Sequence, residues 1–90
     1  MSYNCSTEFT DIKNISEEHI TELELLFEKA GLRANINYNN YLTDEIDYSD
    51  NPLGVIYNWA SKNNLSFSIT FTDEELEEHF YEYINGIEHD

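Results

Sequence analysis

Carboxylates are the side chains of this sequence that could do chemistry, because 19 of its 90 residues are Asp or Glu. One group lies near the C-terminus in the segment TDEELEEHFYEYI, and a second lies in the segment TDEIDYSD. Only four residues are Lys or Arg, so the formal net charge at neutral pH is −15. Carboxylates at this density can hold a metal ion, act as general acids and bases, or contact a cationic partner.

A calcium site is the first alternative, because four acidic residues lie close together: Asp44, Glu45, Asp47 and Asp50. An EF-hand loop needs oxygen ligands at alternate positions, a glycine at its centre and a bidentate Glu at its end. The spacing here differs from that pattern, and Pro52 stands where such a loop would continue. The three histidines and the single cysteine show no zinc-binding spacing either. We therefore predict no metal and no cofactor.

Catalysis is the second alternative, and the sequence gives it little support. A pair of carboxylates that cleaves a glycoside needs a cleft, which a chain of 90 residues can hardly wall. Cys5 has no histidine near it in the sequence to activate its thiol. The chain also has no glycine-rich phosphate-binding loop. We therefore predict that the protein is not an enzyme.

Length and composition predict a single folded domain over residues 1–90. A chain of this size has room for one core, and its 40% hydrophobic and 14% aromatic content is unlike that of a disordered acidic tail. One cysteine cannot form an intramolecular disulfide, which favours a reducing compartment. No run is apolar enough for a membrane span or a signal peptide. We expect a soluble, cytoplasmic protein.

The elements that must position these carboxylates follow from the hydrophobic periodicity. Alternation predicts a strand over residues 2–9 and a second over residues 33–39, while residues 40–51 form either a third strand or an irregular loop. Ser16 is placed to cap a helix that ends at Gly31. Asn51 and Pro52 are placed to start another helix, which ends at residues 63–64.

The last third of the chain predicts a strand followed by a helix. Residues 65–71 alternate, and Thr72 with Glu75 fits a capping box, supported by a hydrophobic staple between Phe71 and Leu76. The buried stripe of this helix is predicted to comprise Leu76, Phe80, Tyr83, Ile84 and Ile87, with Gly86 as the stop. We predict an α+β fold with three helices packed on a small sheet of three to four strands, in the order β-α-β-(β)-α-β-α.

In that arrangement the last helix would present a row of carboxylates to solvent. An acidic helix face is most often only solvated surface, but here two helices and a loop share the property. Carboxylates three or four residues apart on a helix stand roughly 5–6 Å apart, comparable to the phosphates along one DNA strand. The predicted partner-binding residues are Glu74, Glu77, Glu78, Tyr81, Glu82, Asp44, Glu45, Asp47 and Asp50. Tyr81 is included because tyrosine is enriched at interfaces, and Tyr41 and Tyr48, which flank the acidic loop, rank next.

In size, charge and aromatic content the whole chain resembles the small acidic proteins by which phages disable host defence. These are DNA mimics, anti-restriction proteins and anti-CRISPR proteins. The resemblance rests on overall character and on no sequence motif, so no family residue is carried over. It implies an inhibitor that binds a basic groove of a nuclease or nucleic-acid-binding complex, in the host cytoplasm if the chain is phage-encoded. The negative charge disfavours direct binding of nucleic acid or of an anionic membrane.

Two other classes of function stay open. An immunity protein that neutralises a cognate toxin would also use acidic complementarity. A protein-interaction adaptor would bind its partner in a way that salt does not affect. Self-association into a homodimer is also left open.

Overall fold

The computed structural model describes residues 4–35 and 46–89. The elements in these residues are β1 (Cys5–Thr10), α1 (Glu17–Lys29), β2 (Ala34–Asn35), β3 (Ile46–Tyr48), α2 (Leu53–Asn63), β4 (Phe67–Thr72), β5 (Glu78–Ile84) and β6 (Ile87–His89). The strands form one antiparallel sheet in the order β2-β3-β1-β4-β5-β6. Neither of these helices has the length and apolar character that crossing a membrane requires.

The hydrophobic core lies between the two helices and one face of the sheet. Thr7 pairs with Phe71 and Phe9 pairs with Ile69 across β1 and β4, so these four side chains share a face, and all are buried. Trp59 of α2 packs edge-on against Phe9, with their ring centroids 6.4 Å apart. The sheet therefore has one face covered by helices, which we call the helix-covered face.

The first helix forms as its sequence predicts. The Ser16 side chain accepts a hydrogen bond from the backbone N–H of His19 at 3.3 Å, as a helix N-cap should. At the other end, the backbone N–H of Leu32 donates to the Phe27 carbonyl at 2.9 Å, and Gly31 adopts a φ of 72°. These two features make the predicted Schellman motif, so both helix boundaries are confirmed.

The middle of the chain agrees with the predictions to within one residue where it is described. The helix α2 begins at Leu53, so Pro52 and not Asn51 is its N-cap, although the backbone N–H of Leu53 donates to Oδ1 of Asn51 at 2.9 Å. It ends at Asn63, and the next residue, Asn64, has a φ of 53°. Of the second predicted strand, residues 33–35 are described, and Ala34–Asn35 form β2. The segment that the sequence left undecided contains a strand, β3, which pairs with β1.

The predicted C-terminal helix is wrong. Residues 78–84 and 87–89 form two strands, and β5 pairs with β4 along its length, from Phe67 opposite Tyr83 to Thr72 opposite Glu78. The prediction of three helices on a sheet of three to four strands is therefore wrong as well. In the described part of the chain, two helices pack on a sheet of six strands, and the order is β-α-β-β-α-β-β-β.

A tight turn takes the place of the predicted capping box. Oδ1 of Asp73 accepts hydrogen bonds from the backbone N–H groups of Glu75 at 2.9 Å and Glu77 at 3.0 Å. The backbone N–H of Leu76 donates to the Asp73 carbonyl at 3.0 Å, and the N–H of Asp73 donates to the Glu77 carbonyl at 2.9 Å. Leu76 has a φ of 66° and is 83% exposed, so the predicted staple with Phe71 does not form. These bonds close a three-residue hairpin loop with a left-handed residue at its end.

The second C-terminal turn is a two-residue hairpin. Asn85 and Gly86 have φ values of 50° and 80°, and the residues on either side of them, Ile84 and Ile87, pair with each other. Two consecutive positive φ values are typical of the type I′ turn, whose twist matches that of the two strands. Gly86 therefore ends a strand rather than a helix.

Candidate protein-interaction surface

No helix in the described part of the chain covers the second face of the sheet, which we call the open sheet face. The strand registers place alternate residues of each strand on it. Its residues are Ser6, Glu8, Thr10, Asp47, Ser68, Thr70, Thr72, Glu78, Phe80, Glu82, Ile84, Ile87 and His89. This face joins residues that lie far apart in the sequence.

The open sheet face is acidic. Glu8, Glu78 and Glu82 are exposed on it, and Asp47 is half-buried. None of the four forms a salt bridge within the described part of the chain. The four basic residues of the sequence are Lys13, Lys29, Arg33 and Lys62, and none of them lies in a described strand. A cationic partner would therefore meet four carboxylates carried by the strands, with Lys13 at one edge of the face beside Ser68, Glu82 and Ile84.

Exposed apolar side chains alternate with the carboxylates of β5 and continue onto β6, and we call this set of apolar residues the apolar strip. Phe80 is 68% exposed, and Ile84 and Ile87 are 43% and 63% exposed. Phe80 and Ile84 lie four residues apart on β5, and Ile87 pairs with Ile84, so all three share the open sheet face. Leu76 extends the exposed apolar surface to the neighbouring turn. Exposed apolar residues rimmed by charge are typical of a protein–protein contact.

A shallow depression lies beside Phe80. Its volume is about 300 Å³, and its lining residues come from β1, β4 and β5. They are Thr10, Ser68, Ile69, Thr70, Phe80, Tyr81 and Glu82. Hydroxyl groups line one side of this depression, and an aromatic ring and a carboxylate line the other.

The structure divides the predicted partner-binding residues among several places. Glu78, Glu82 and Asp47 lie together on the open sheet face. Glu74 and Glu77 belong to the β4–β5 turn, so the predicted single row of glutamates on a helix is wrong. Two further predicted residues, Asp44 and Glu45, lie outside the described residues, as does Tyr41.

The predicted tyrosine contacts are placed differently from the glutamates. Tyr81 pairs with Ile69, so it lies on the helix-covered face. The predicted C-terminal helix would have placed it beside Glu78 and Glu82. Tyr48 is fully buried, and its hydroxyl lies 2.6 Å from that of Thr7. The burial of Tyr48 excludes it as a contact residue in this structure.

Asp50 and Glu74 both carry charge close enough to Cys5 to affect its thiol. Burial raises the pKa of the Cys5 thiol, and the negative charges of Glu74, Asp50 and Asp73 raise it further. A thiol with a raised pKa is a poor nucleophile, because the thiolate is the reactive form. These two predicted site residues therefore do not activate the cysteine.

Asp73, Glu77 and His79 form the group that best fits a metal ion among the described residues. One ligand atom from each lies within 4.8 Å of the others. Nε2 of His79 donates to Oδ2 of Asp73 at 2.9 Å, and this bond, with those from the backbone of Glu77 and Glu75, holds the pKa of Asp73 below its usual range. The same bonds build the β4–β5 turn, so the turn already accounts for this cluster.

Sequence reasoning missed four residues of the surface: Glu8, Phe80, Ile84 and Ile87. Glu8 alternates outward on the first strand, but only the pairing of that strand with β4 brings it near the C-terminal carboxylates. The prediction that Phe80, Ile84 and Ile87 form the buried stripe of a helix is wrong, because all three are exposed on the sheet. A strict period-2 interpretation of residues 78–84 would have placed Glu78, Phe80 and Glu82 on one face.

No protein-family model, curated protein or solved structure matches this chain. The open sheet face combines exposed carboxylates with exposed apolar side chains. Such a surface can attract a cationic protein over a distance and then exclude water at the contact.

Proposed function

We propose that this protein is a non-enzymatic inhibitor, which binds the basic groove of a nuclease or nucleic-acid-binding defence protein and blocks its access to DNA or RNA. The open sheet face supports this most directly, because carboxylates alternate with exposed apolar side chains there and no described strand carries Lys or Arg. The net charge of −15 supports it further. We also propose that the protein acts in the cytoplasm of the cell that holds its partner.

Charge explains why such a protein would compete with nucleic acid. A groove that binds DNA is lined with Lys and Arg, and it attracts any rigid body that presents negative charge. Glu8, Glu78, Glu82 and Asp47 present that charge from four positions on one sheet. Since the strands are hydrogen-bonded to one another, the backbone that carries these carboxylates needs little ordering on binding, and the cost is limited to their side chains.

The apolar strip explains how the protein would hold a partner after the encounter. Phosphates offer a groove only charge and polar contacts, whereas Phe80, Ile84 and Ile87 can bury apolar surface. Burial contributes about 25 cal/mol for each Å² of apolar area removed from water. An inhibitor that offers both negative charge and apolar surface can displace a nucleic acid whose phosphates offer only charge and polar contacts.

A capture and competition experiment tests this proposal. The protein is immobilised, its partner is recovered from the lysate of a candidate host and identified, and the purified partner is bound to fluorescent DNA. We expect the protein to displace the DNA, and the displacement to be complete at a fixed molar ratio of protein to partner. A partner that binds DNA equally well with and without the protein would show that the proposal is wrong. Recovery of a toxin encoded beside the protein would instead indicate an immunity function.

A matched pair of variants tests whether the open sheet face is the one that competes. The first variant carries Glu8→Gln, Glu78→Gln and Glu82→Gln, and it removes three charges from this face. The control carries Glu17→Gln, Glu18→Gln and Glu28→Gln, which remove three charges from exposed positions of α1. We expect at least a tenfold loss of competition for the first and little change for the second, because charge near a contact matters more than distant charge. Equal losses would assign the effect to net charge alone.

A further inference from the structure

We infer that the depression beside Phe80 is a receptor for an arginine side chain of the partner. This inference rests on the proposed function and names the chemistry by which the partner would be recognised. The receptor comprises the ring of Phe80, the carboxylate of Glu82 and the hydroxyls of Thr10, Ser68 and Thr70.

The strand register brings these groups to one place. Thr10 pairs with Ser68, and Ser68 pairs with Glu82, so these three form one row across β1, β4 and β5. The neighbouring row consists of Glu8, Thr70 and Phe80. Adjacent strands lie about 4.8 Å apart, and side chains two residues apart on one strand are separated by roughly 6.8 Å. An aromatic residue, three hydroxyl-bearing residues and one carboxylate residue, Glu82, therefore line a space of about 300 Å³.

This set of groups fits a guanidinium ion. A guanidinium is planar, stacks on aromatic rings and carries five N–H donors, while its weak hydration makes it easy to remove from water. Phe80 offers an exposed face for stacking, Glu82 offers a charged acceptor, and the hydroxyls of Ser68 and Thr70 offer neutral acceptors. Glu8 lies across Thr70 from Phe80 and adds a second negative charge. An ammonium group matches this site less well, because it is compact, strongly hydrated and has only three donors.

The charge of the face argues against a second copy of this chain as its occupant. Two copies packed face to face would bring Glu8, Glu78, Glu82 and Asp47 against identical carboxylates. The described strands contain no Lys or Arg, and Lys13, which lies beside Ser68 and Glu82 at one edge, sets one positive charge against four carboxylates. Like charges set against each other destabilise an interface, whereas a cationic partner removes that repulsion. Charge complementarity therefore selects a basic protein.

An NMR titration of the whole chain tests the inference. The ¹⁵N-labelled protein is titrated with the peptide acetyl-Gly-Arg-Gly-amide and, separately, with the same peptide containing Lys. We expect the arginine peptide to shift the amide signals of Ser68, Thr70, Phe80 and Glu82 and to bind about two- to fivefold more tightly than the lysine peptide, as an exposed cation–π contact would provide. Binding of a second copy would appear instead as line broadening that depends on protein concentration.

Two variants with one control complete the test. Phe80→Leu keeps an apolar side chain but removes the ring, and Glu82→Gln removes the charge. Each substitution should lower the affinity for the arginine peptide about two- to fivefold. Glu28→Gln on α1 is the control and should leave binding unchanged. Equal binding of both peptides, or shifts that Phe80→Leu does not reduce, would overturn the inference. If the arginine peptide binds as expected while the protein fails to displace DNA, the receptor stands and the proposed function is wrong.

Discussion

The hydroxyl of Thr7 lies 2.6 Å from the hydroxyl of Tyr48, and both side chains are buried on the helix-covered face. This hydrogen bond links β1 to β3, which carries Asp47 on the opposite face. Burial raises the pKa of Tyr48, because the charged phenolate would lose its water. Each hydroxyl therefore depends on the other for its hydrogen bond in a region that water does not reach.

Removal of one of these two hydroxyls should destabilise the fold. We expect Tyr48→Phe to lower the free energy of unfolding by about 1–3 kcal/mol, because it leaves Thr7 buried without its partner. The Thr7→Val, Tyr48→Phe double variant should lose less than the sum of the two single variants. Urea unfolding at neutral pH measures all three variants. Strictly additive losses would show that the two hydroxyls do not depend on each other.

Gly86 is the glycine whose replacement should cost most among the three in the chain. A Cβ at this position would lie 2.7 Å from the carbonyl oxygen of Ala60 and 2.9 Å from Cα of Ser61, both backbone atoms of α2. Its φ of 80° adds strain for any other residue. We expect Gly86→Ala to lower the melting temperature clearly, by several degrees for a loss of about 1 kcal/mol or more.

Gly54 is the matched control for that substitution. It lies in α2, and a Cβ there would meet nothing within 4 Å. We expect Gly54→Ala to raise stability by about 0.4–1 kcal/mol, since alanine restricts the unfolded chain and favours a helix. Thermal unfolding followed by circular dichroism measures both variants. Similar shifts for the two glycines would contradict the close approach between Gly86 and α2.

Leu76 should respond in the opposite way to Gly86. It holds a left-handed conformation with a φ of 66°, and its side chain is 83% exposed, so little apolar burial offsets the backbone strain. We expect Leu76→Gly to raise the free energy of unfolding by about 1 kcal/mol, which is the usual cost of this conformation for a residue with a Cβ. Leu25→Gly, in the interior of α1, should instead be destabilising by about 1 kcal/mol. Loss of stability in Leu76→Gly would contradict the geometry of the β4–β5 turn.

The C-terminal third shows why two periodicities in one segment mislead. The positions of Leu76, Phe80, Tyr83 and Ile87 fit a helical stripe, and glutamate is a good helix former. Residues 78–84 also alternate, and the pair Asn85–Gly86 is a strong hairpin signal when alternating residues flank it. Pairing with β4, which buries Tyr83 against Phe67, decides between them. Tertiary contacts of this kind cannot be derived from local propensity.

The candidate site was predictable only in part, for a related reason. The excess of carboxylates follows from the composition, and the choice of Glu78 and Glu82 as candidate contact residues follows from their positions in the sequence. The grouping of these residues with Glu8 and Asp47 depends on which strands pair, and that is set by contacts between segments far apart in the sequence. By contrast, both ends of α1 were predictable, because Ser16 and Gly31 act locally.

The β4–β5 turn should make stability depend on acid. The pKa of Asp73 is lowered by its hydrogen bonds to His79, Glu77 and Glu75, so the folded state favours its charged form. This contribution is fully present above the ordinary pKa of aspartate, near 3.9, and is lost as the pH falls through the lower value of the folded state. We expect the midpoint of urea unfolding to fall between pH 5 and pH 3 less steeply in Asp73→Asn than in the wild type. Parallel curves for the two proteins would assign the acid response to other groups.

Salt should act in opposite directions on folding and on binding. A net charge of −15 repels itself in the folded state, so screening should stabilise the fold. The range of electrostatic interactions falls from about 30 Å at 0.01 M salt to about 10 Å at 0.1 M. We expect the melting temperature to rise over this interval. The same change should weaken the complex with a basic partner, because the attraction between the two proteins is screened as well.

The variant with Glu8→Gln, Glu78→Gln and Glu82→Gln separates these two effects. With three charges fewer on the open sheet face, its melting temperature should depend less on NaCl than that of the wild type. Its residual binding to the partner should also vary less with NaCl, because fewer contacts between opposite charges remain. Thermal scans and binding titrations over the same NaCl series measure the two responses. A wild-type melting temperature that falls as salt rises would show that the carboxylates do not repel one another enough to limit stability.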